Sequence, residues 1–145
     1  MNNNNNSRAS CVVRRAWMLV ATIVLTTGCQ DSINKYLGPA NNEMETVLTD
    51  SMRFQAWDLD NVTDTREWTW TMTGPQAVVH HDNFVHHGKG QITIIDAVGD
   101  TVYNRVPLEW EIDNATDSGS AGAWTVKLEL FGARGRVDFS VVKAP

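Results

Sequence analysis

From about Glu43 onward the chain alternates apolar and polar residues with a period of two, in short runs separated by turn residues. The cleanest run is Trp124-Thr-Val126-Lys-Leu128-Glu-Leu130, with Thr125, Lys127 and Glu129 on the opposite face. Arg136 to Val141 alternates in the same way, and Gly132-Ala133-Arg134-Gly135 between the two runs predicts a hairpin turn. Leu108-Glu-Trp110-Glu-Ile112 and Glu67-Trp68-Thr-Trp70-Thr-Met72 repeat the pattern. Met52 to Ala56, Gln91 to Asp96 and Val102-Tyr103 complete the set, with Val98-Gly99-Asp100 joining the last two. No stretch keeps a helical period.

Strands that place apolar side chains on one face must bury that face against a second layer. The expectation is therefore an all-β fold, a two-sheet antiparallel β-sandwich of seven to eight strands over residues 46–145. Trp68, Trp70, Trp110, Trp124 and Phe139 are its expected core, since large aromatics supply most of the apolar area in a small domain. Trp57 and Tyr103 fall on polar faces and are the candidates for an exposed aromatic platform of the kind that stacks on sugar rings.

Residues 1–28 follow a different pattern. A polar start with Arg8, Arg14 and Arg15 leads into the uncharged run Ala16–Leu25, which has signal-peptide length and is too short to span a bilayer. The run ends in Leu25-Thr26-Thr27-Gly28-Cys29, which resembles the lipobox of bacterial lipoproteins. Thr26 departs from that pattern, with the usual Leu one place upstream. The resemblance implies a diacylglyceryl group on Cys29, cleavage just before it, and anchorage to membrane through that lipid. Arg14-Arg15 is also faintly similar to a twin-arginine signal, with Val13 where Ser or Thr is usual. Gln30 follows the cysteine where an inner-membrane retention Asp often stands, so the outer membrane is the expected address, with the domain facing the periplasm or the surface. Residues 29–45, polar and interrupted by Gly38-Pro39, read as a flexible tether. Cys11 falls in the removed segment, so a lipidated Cys29 leaves the mature domain without a free thiol or a disulfide.

Across residues 50–143 the chain is similar to a class of small exported β-sandwich domains of bacterial lipoproteins. Its landmarks here are Asp96-Ala97 with Gly99, and Gly122-Ala123-Trp124. This likeness implies a fold and no activity.

Loss of the signal also shifts the charge. Of 12 basic residues three lie before Cys29, and all 17 acids lie after it, so the mature chain carries nine bases and a formal charge of −8. An acidic surface with scattered bases argues against nucleic acid as a partner, because phosphates need a basic face.

Candidate chemistry is sparse. All four histidines fall in His80-His81-Asp82-Asn83-Phe84-Val85-His86-His87. With Asp82-Asn83 as a two-residue turn, a hairpin places His81 and His86 on one face and His80 and His87 on the other. Imidazoles so placed suit Zn²⁺, Cu²⁺ or Ni²⁺, although a good site needs three or four ligands. Asp58, Asp60 and Asp64 group three carboxylates in one stretch, a calcium-like pattern that lacks the EF-hand glycine. Asp117–Gly122 contains Ser118 and Ser120 but no Gly-x-Ser-x-Gly elbow. The reading that follows is a non-catalytic binding or interaction module at the cell envelope, without a cofactor, whose partner is a protein or a glycan. A metal module on the histidine hairpin and a carbohydrate module on Trp57 or Tyr103 are the alternatives.

Overall fold

The computed structural model describes residues 36–106, 108 and 112–145. Cys29, the signal-like segment, Trp110 and its two glutamates lie outside them. Among the described residues there are seven antiparallel strands: β1 (Met44–Leu48), β2 (Ser51–Met72), β3 (Ala77–His81), β4 (Phe84–Ile95), β5 (Thr101–Arg105), β6 (Ile112–Ala115) and β7 (Gly122–Lys143). A three-residue 3₁₀ turn, Pro39–Asn41, precedes β1, and no described helix is long and apolar enough to cross a membrane.

All seven strands share one hydrogen-bonded sheet, where the alternation predicts two. Its axis is the β2–β7 pair, which runs from Ser51↔Val142 to Met72↔Gly122. On its other side β7 pairs β3 near its end and β4 along its first two-thirds. β1, β6 and β5 are added outside β2, β3 and β4 respectively.

The two layers are not separate sheets because a predicted break is not a break. Gly132–Gly135 reads as a turn, yet it lies inside a 22-residue strand, as does the acidic stretch Asp58–Asp64 on its partner. The register slips between Ala56 and Leu59, between Leu59 and Val62, and between Val62 and Asp64. Left-handed residues sit on both strands at these slips: Asp58 and Asn61 (φ 58° and 59°) on β2, Gly132 and Gly135 (φ 59° and 127°) on β7. Asp, Asn and Gly enter that region at low cost, so the pair bulges and bends without losing its ladder. Gly135 is required as glycine, since a Cβ there would lie 1.9 Å from the Phe84 carbonyl oxygen.

The bend is large. Fourteen residues of straight strand span roughly 46 Å, whereas the rings of Phe54 and Trp68, both on β2, have centroids 4.7 Å apart. Phe139 joins them at 6.0 and 6.1 Å. The β2–β7 ribbon thus folds back over itself and encloses the core. Trp124, Met52, Met72, Ile92, Ile94, Leu128 and Leu130 are fully buried there, and Trp70 meets Trp124 edge-on. The core includes Trp68, Trp70, Trp124 and Phe139, as the alternation predicts.

Further contacts close the fold. Leu37 and Asn41, expected in the tether, are buried: Asp64 Oδ2 accepts the Leu37 N–H, and Arg66 donates to the Leu37 carbonyl. The folded region therefore begins before residue 46. Asp96 accepts the N–H groups of Val98, Asp100 and Ser120, which ties the β4–β5 connection to the segment before β7. Those bonds, Ser120 first, hold its carboxyl below the usual range. Gly122 packs so closely on Ala97 that an added Cβ would come within 2.7 Å of the alanine methyl.

Asp50, between β1 and β2, joins the two ends of β2. Its N–H donates to the Thr71 carbonyl, its carbonyl accepts the Lys143 N–H, and its carboxylate accepts from the Thr73 N–H, the Thr73 hydroxyl and Lys143 Nζ. Led by the Thr73 backbone bond, these contacts lower the Asp50 pKa from 3.8 to about 2. A depressed carboxyl pKa stabilises the fold above the unfolded-state value and loses that stabilisation as pH falls through the folded-state value. Wild type should therefore lose stability between pH 4 and pH 2 more steeply than Asp50→Asn, which tolerates the same left-handed backbone. Urea midpoints measured across that window test this, and parallel pH profiles of the two proteins would disprove it.

Candidate functional site

The outer face of the sheet carries a row of cross-strand partners: Thr46, Arg53, Ser140, His80 and Asp113 on β1, β2, β7, β3 and β6. Paired residues of an antiparallel ladder point to the same side, so these side chains emerge together. Beside them Gln55 pairs with Asp138. Arg53, His80, His81, Asp82, Asp138 and Ser140 line a depression of about 210 Å³.

Arg53, Asp138 and Asp82, which line this depression, each have an oppositely charged partner. Arg53 donates twice to Asp138 at 3.2 and 3.0 Å, and Gln55 Nε2 donates to the same carboxylate at 2.7 Å. The Asp138 bond raises the Arg53 pKa above its ordinary value. His80 Nδ1 lies 2.7 Å from Asp113 Oδ1, and Arg136 bonds Asp82 through both its carboxylate and its carbonyl oxygen. Ser140, His80 and Asp113 follow one another in space, but no hydrogen bond joins Ser140 to His80, and the His80–Asp113 pair is open to solvent.

Beneath the surface, Asn83 and His81 form a buried relay. Asn83 Oδ1 accepts the Asp138 N–H at 3.0 Å, which fixes the amide so that Nδ2 faces His81 Nδ1 at 2.8 Å. Nδ2 only donates, so His81 Nδ1 must offer a lone pair and the ring proton sits on Nε2, 2.7 Å from Tyr103 Oη. His81 is thereby a neutral imidazole of one tautomer, 3% exposed.

The predicted histidine hairpin does not form. β3 and β4 lie end to end along the same side of β7, with His81 opposite Phe139 and Phe84 opposite Arg136. Asp82 and Asn83 bridge them: the Asp82 N–H donates to the Asp138 carbonyl, and the Asn83 side chain takes the place of the next backbone rung. His80 therefore faces outward with Asp113 while His81 is buried under Tyr103. His86 packs against Phe84 at 5.5 Å, and His87 is exposed. Among the described residues no three His, Cys, Asp or Glu side chains converge to hold a metal ion.

The three acids of the calcium-like stretch diverge as well. Asp58 accepts from Asn42 Nδ2, Asp60 pairs with Arg134, and Asp64 holds the Leu37 N–H. Tyr103 is 8% exposed and is not a surface platform, because its ring stacks on His81. Trp57 is 37% exposed, and the Arg136 guanidinium lies over its ring at 5.2 Å. Opposite Arg136, Phe84 is 44% exposed, so an aromatic patch of Trp57, Phe84 and His86 flanks the depression.

Sequence reasoning missed Arg53, Arg136 and Asp138, and read Asn83 only as a turn residue. Alternation places Arg53, Arg136 and Asp138 on polar faces, but their association depends on pairing β2 with β7 across 85 residues. No short-range pattern encodes that register.

No protein-family model matches the chain, and comparison with curated proteins finds no match. Among solved structures it is similar to a chain from the crystal structure of accessory secretory protein 1, 2 and 3 in Streptococcus pneumoniae, at 14% identity and a TM-score of 0.37, over 71% of this chain and 86% of that one.

Asn83→Ala should cost about 1–3 kcal/mol, since it strands the Asp138 N–H and His81 Nδ1. Imidazole ¹⁵N NMR of the wild type at neutral pH should show His81 protonated at Nε2 alone. A proton on Nδ1 would overturn the relay.

Proposed function

We propose that this chain is a lipid-anchored, non-catalytic binding module of the cell envelope that recognises a polyhydroxylated ligand, a glycan, at the Trp57–Arg136–Phe84 patch and the depression beside it. The observation that carries this reading is the grouping of exposed aromatics around polar groups whose charges are mutually neutralised. Sugar rings stack on aromatic faces and exchange hydrogen bonds with carboxylate, guanidinium and amide groups, and such a site needs no net charge. The scaffold is read as a sandwich-like one, the two arms of the folded sheet acting as its layers. A lipid on Cys29 fits the signal-like segment that precedes it, with the outer membrane as its address.

Binding of cellohexaose, xylohexaose, chitohexaose and peptidoglycan fragments, followed by calorimetry, tests the ligand class. Trp57→Ala should weaken binding of the preferred sugar at least tenfold, the loss of about 1.4 kcal/mol, with a cooperative thermal melt establishing that the variant is folded. Equal affinity in the variant, or no binding across the panel, would remove the glycan reading.

The anchor is tested separately in cells. Palmitate should label the wild type and not Cys29→Ala, whose precursor should accumulate, because alanine has no thiol to take the lipid. Equal labelling of the two proteins would dismiss the lipid.

A further inference from the structure

β1 is an edge strand with all five residues, Met44-Glu-Thr-Val-Leu48, exposed. Among the described residues its one ladder partner is β2. The outward groups of this edge follow from the ladder. The Asp50 carbonyl accepts the Lys143 N–H, so the Asp50 backbone faces β7. Alternation then turns Ser51, Arg53 and Gln55 toward β1, where their partners are Leu48, Thr46 and Met44. The N–H and C=O groups of Glu45 and Val47 are left pointing away from the sheet.

Natural edges are commonly blunted by Lys, Pro, a bulge or an inward-pointing charge. Of these β1 has only the charge, Glu45, whose carboxylate accepts from Trp68 Nε1 of the same chain, and it exposes Met44 (60%), Val47 (41%) and Leu48 (62%).

We propose that β1 pairs with β1 of a second copy of this chain, antiparallel and centred on Thr46, making one sheet continuous across a two-fold axis. The register is self-complementary. Glu45 of each copy exchanges both backbone hydrogen bonds with Val47 of the other, which uses every outward group of the strand. Met44 lies opposite Leu48 of the second copy on the outer face, so two apolar pairs flank the axis. The two Glu45 carboxylates stand on a diagonal, and each is held inward by Trp68 Nε1 of its own copy at 2.9 Å. A register centred on Glu45 would oppose the two carboxylates directly. One centred on Val47 would run into the Thr49-Asp50 turn. Neither matches the Thr46 register in bonds made or charge avoided.

At the axis, Thr46 faces Thr46 as a non-hydrogen-bonded pair, whose Cα separation of about 4.5 Å suits a disulfide. The test uses the full-length chain carrying Cys11→Ser and Cys29→Ser. Under mild oxidation Thr46→Cys should give about tenfold more covalent dimer than Leu48→Cys, because only the former meets its own copy at disulfide distance. Val47→Pro, added to Thr46→Cys, should abolish the dimer, since it removes an outward N–H and leaves the β1–β2 ladder intact. The thermal melt of the Pro variant establishes that it is folded. If it is not, the contrast between Thr46→Cys and Leu48→Cys decides alone. Absence of dimer from Thr46→Cys, equal yields from the two cysteine variants, or a dimer untouched by a folded Val47→Pro protein would each overturn the proposal. The outcome is independent of glycan binding, which uses other residues.

Discussion

The fold depends on one constraint: two 22-residue strands remain paired through a bend that brings their own ends together. A straight ribbon of that length would expose its apolar face along the whole span. Bulges let β2 and β7 double over, so that Phe54 reaches Trp68 from the far end of the same strand. The bend needs backbone in the left-handed region on both strands at the same level, and Asp58, Asn61, Gly132 and Gly135 provide it. Without those four residues the aromatic core has no second wall.

The same doubling separates the roles of the two faces. Inward residues of β7, such as Phe139 and Val141, are fully buried, while their neighbours Asp138 and Ser140 meet Arg53, Gln55 and His80 on the outside. Asp138 is nonetheless 5% exposed, because Arg53 and Gln55 cover it. A carboxylate in that position is tolerable only with its acceptor sites filled. Arg53 and Asp138 of the depression are thus spent on one another, while Trp57 and Phe84 beside it remain partly exposed.

The strands were legible in the sequence because period two is a local signal. Trp124 to Leu130 and Arg136 to Val141 lie where the alternation puts them, and Val98-Gly99-Asp100 connects β4 to β5. The continuity of the strands was not legible. Gly132–Gly135 has turn composition, and the same residues serve a turn or a bulge according to whether the partner strand bulges in step. Asp82-Asn83 misled for a related reason. Its residues favour a hairpin, but Asn83 uses its side chain to replace a rung of the ladder, and the chain runs straight on. The candidate site was less legible still. Trp57 stood out by composition, whereas Arg53 and Asp138 become partners only once a pairing across the whole domain is known.

The order of the strands also shapes how the chain must fold. β7 follows every other strand in the sequence and is the common partner of β2, β3 and β4. Until it emerges, those three have no shared ladder, and only the β1–β2 and β4–β5 hairpins can form locally. Ser51 must find Val142, and the cost of closing so long a loop falls before any reward from packing. Assembly of the whole sheet therefore waits for β7, and a chain interrupted before Gly122 leaves β2, β3 and β4 without their common partner.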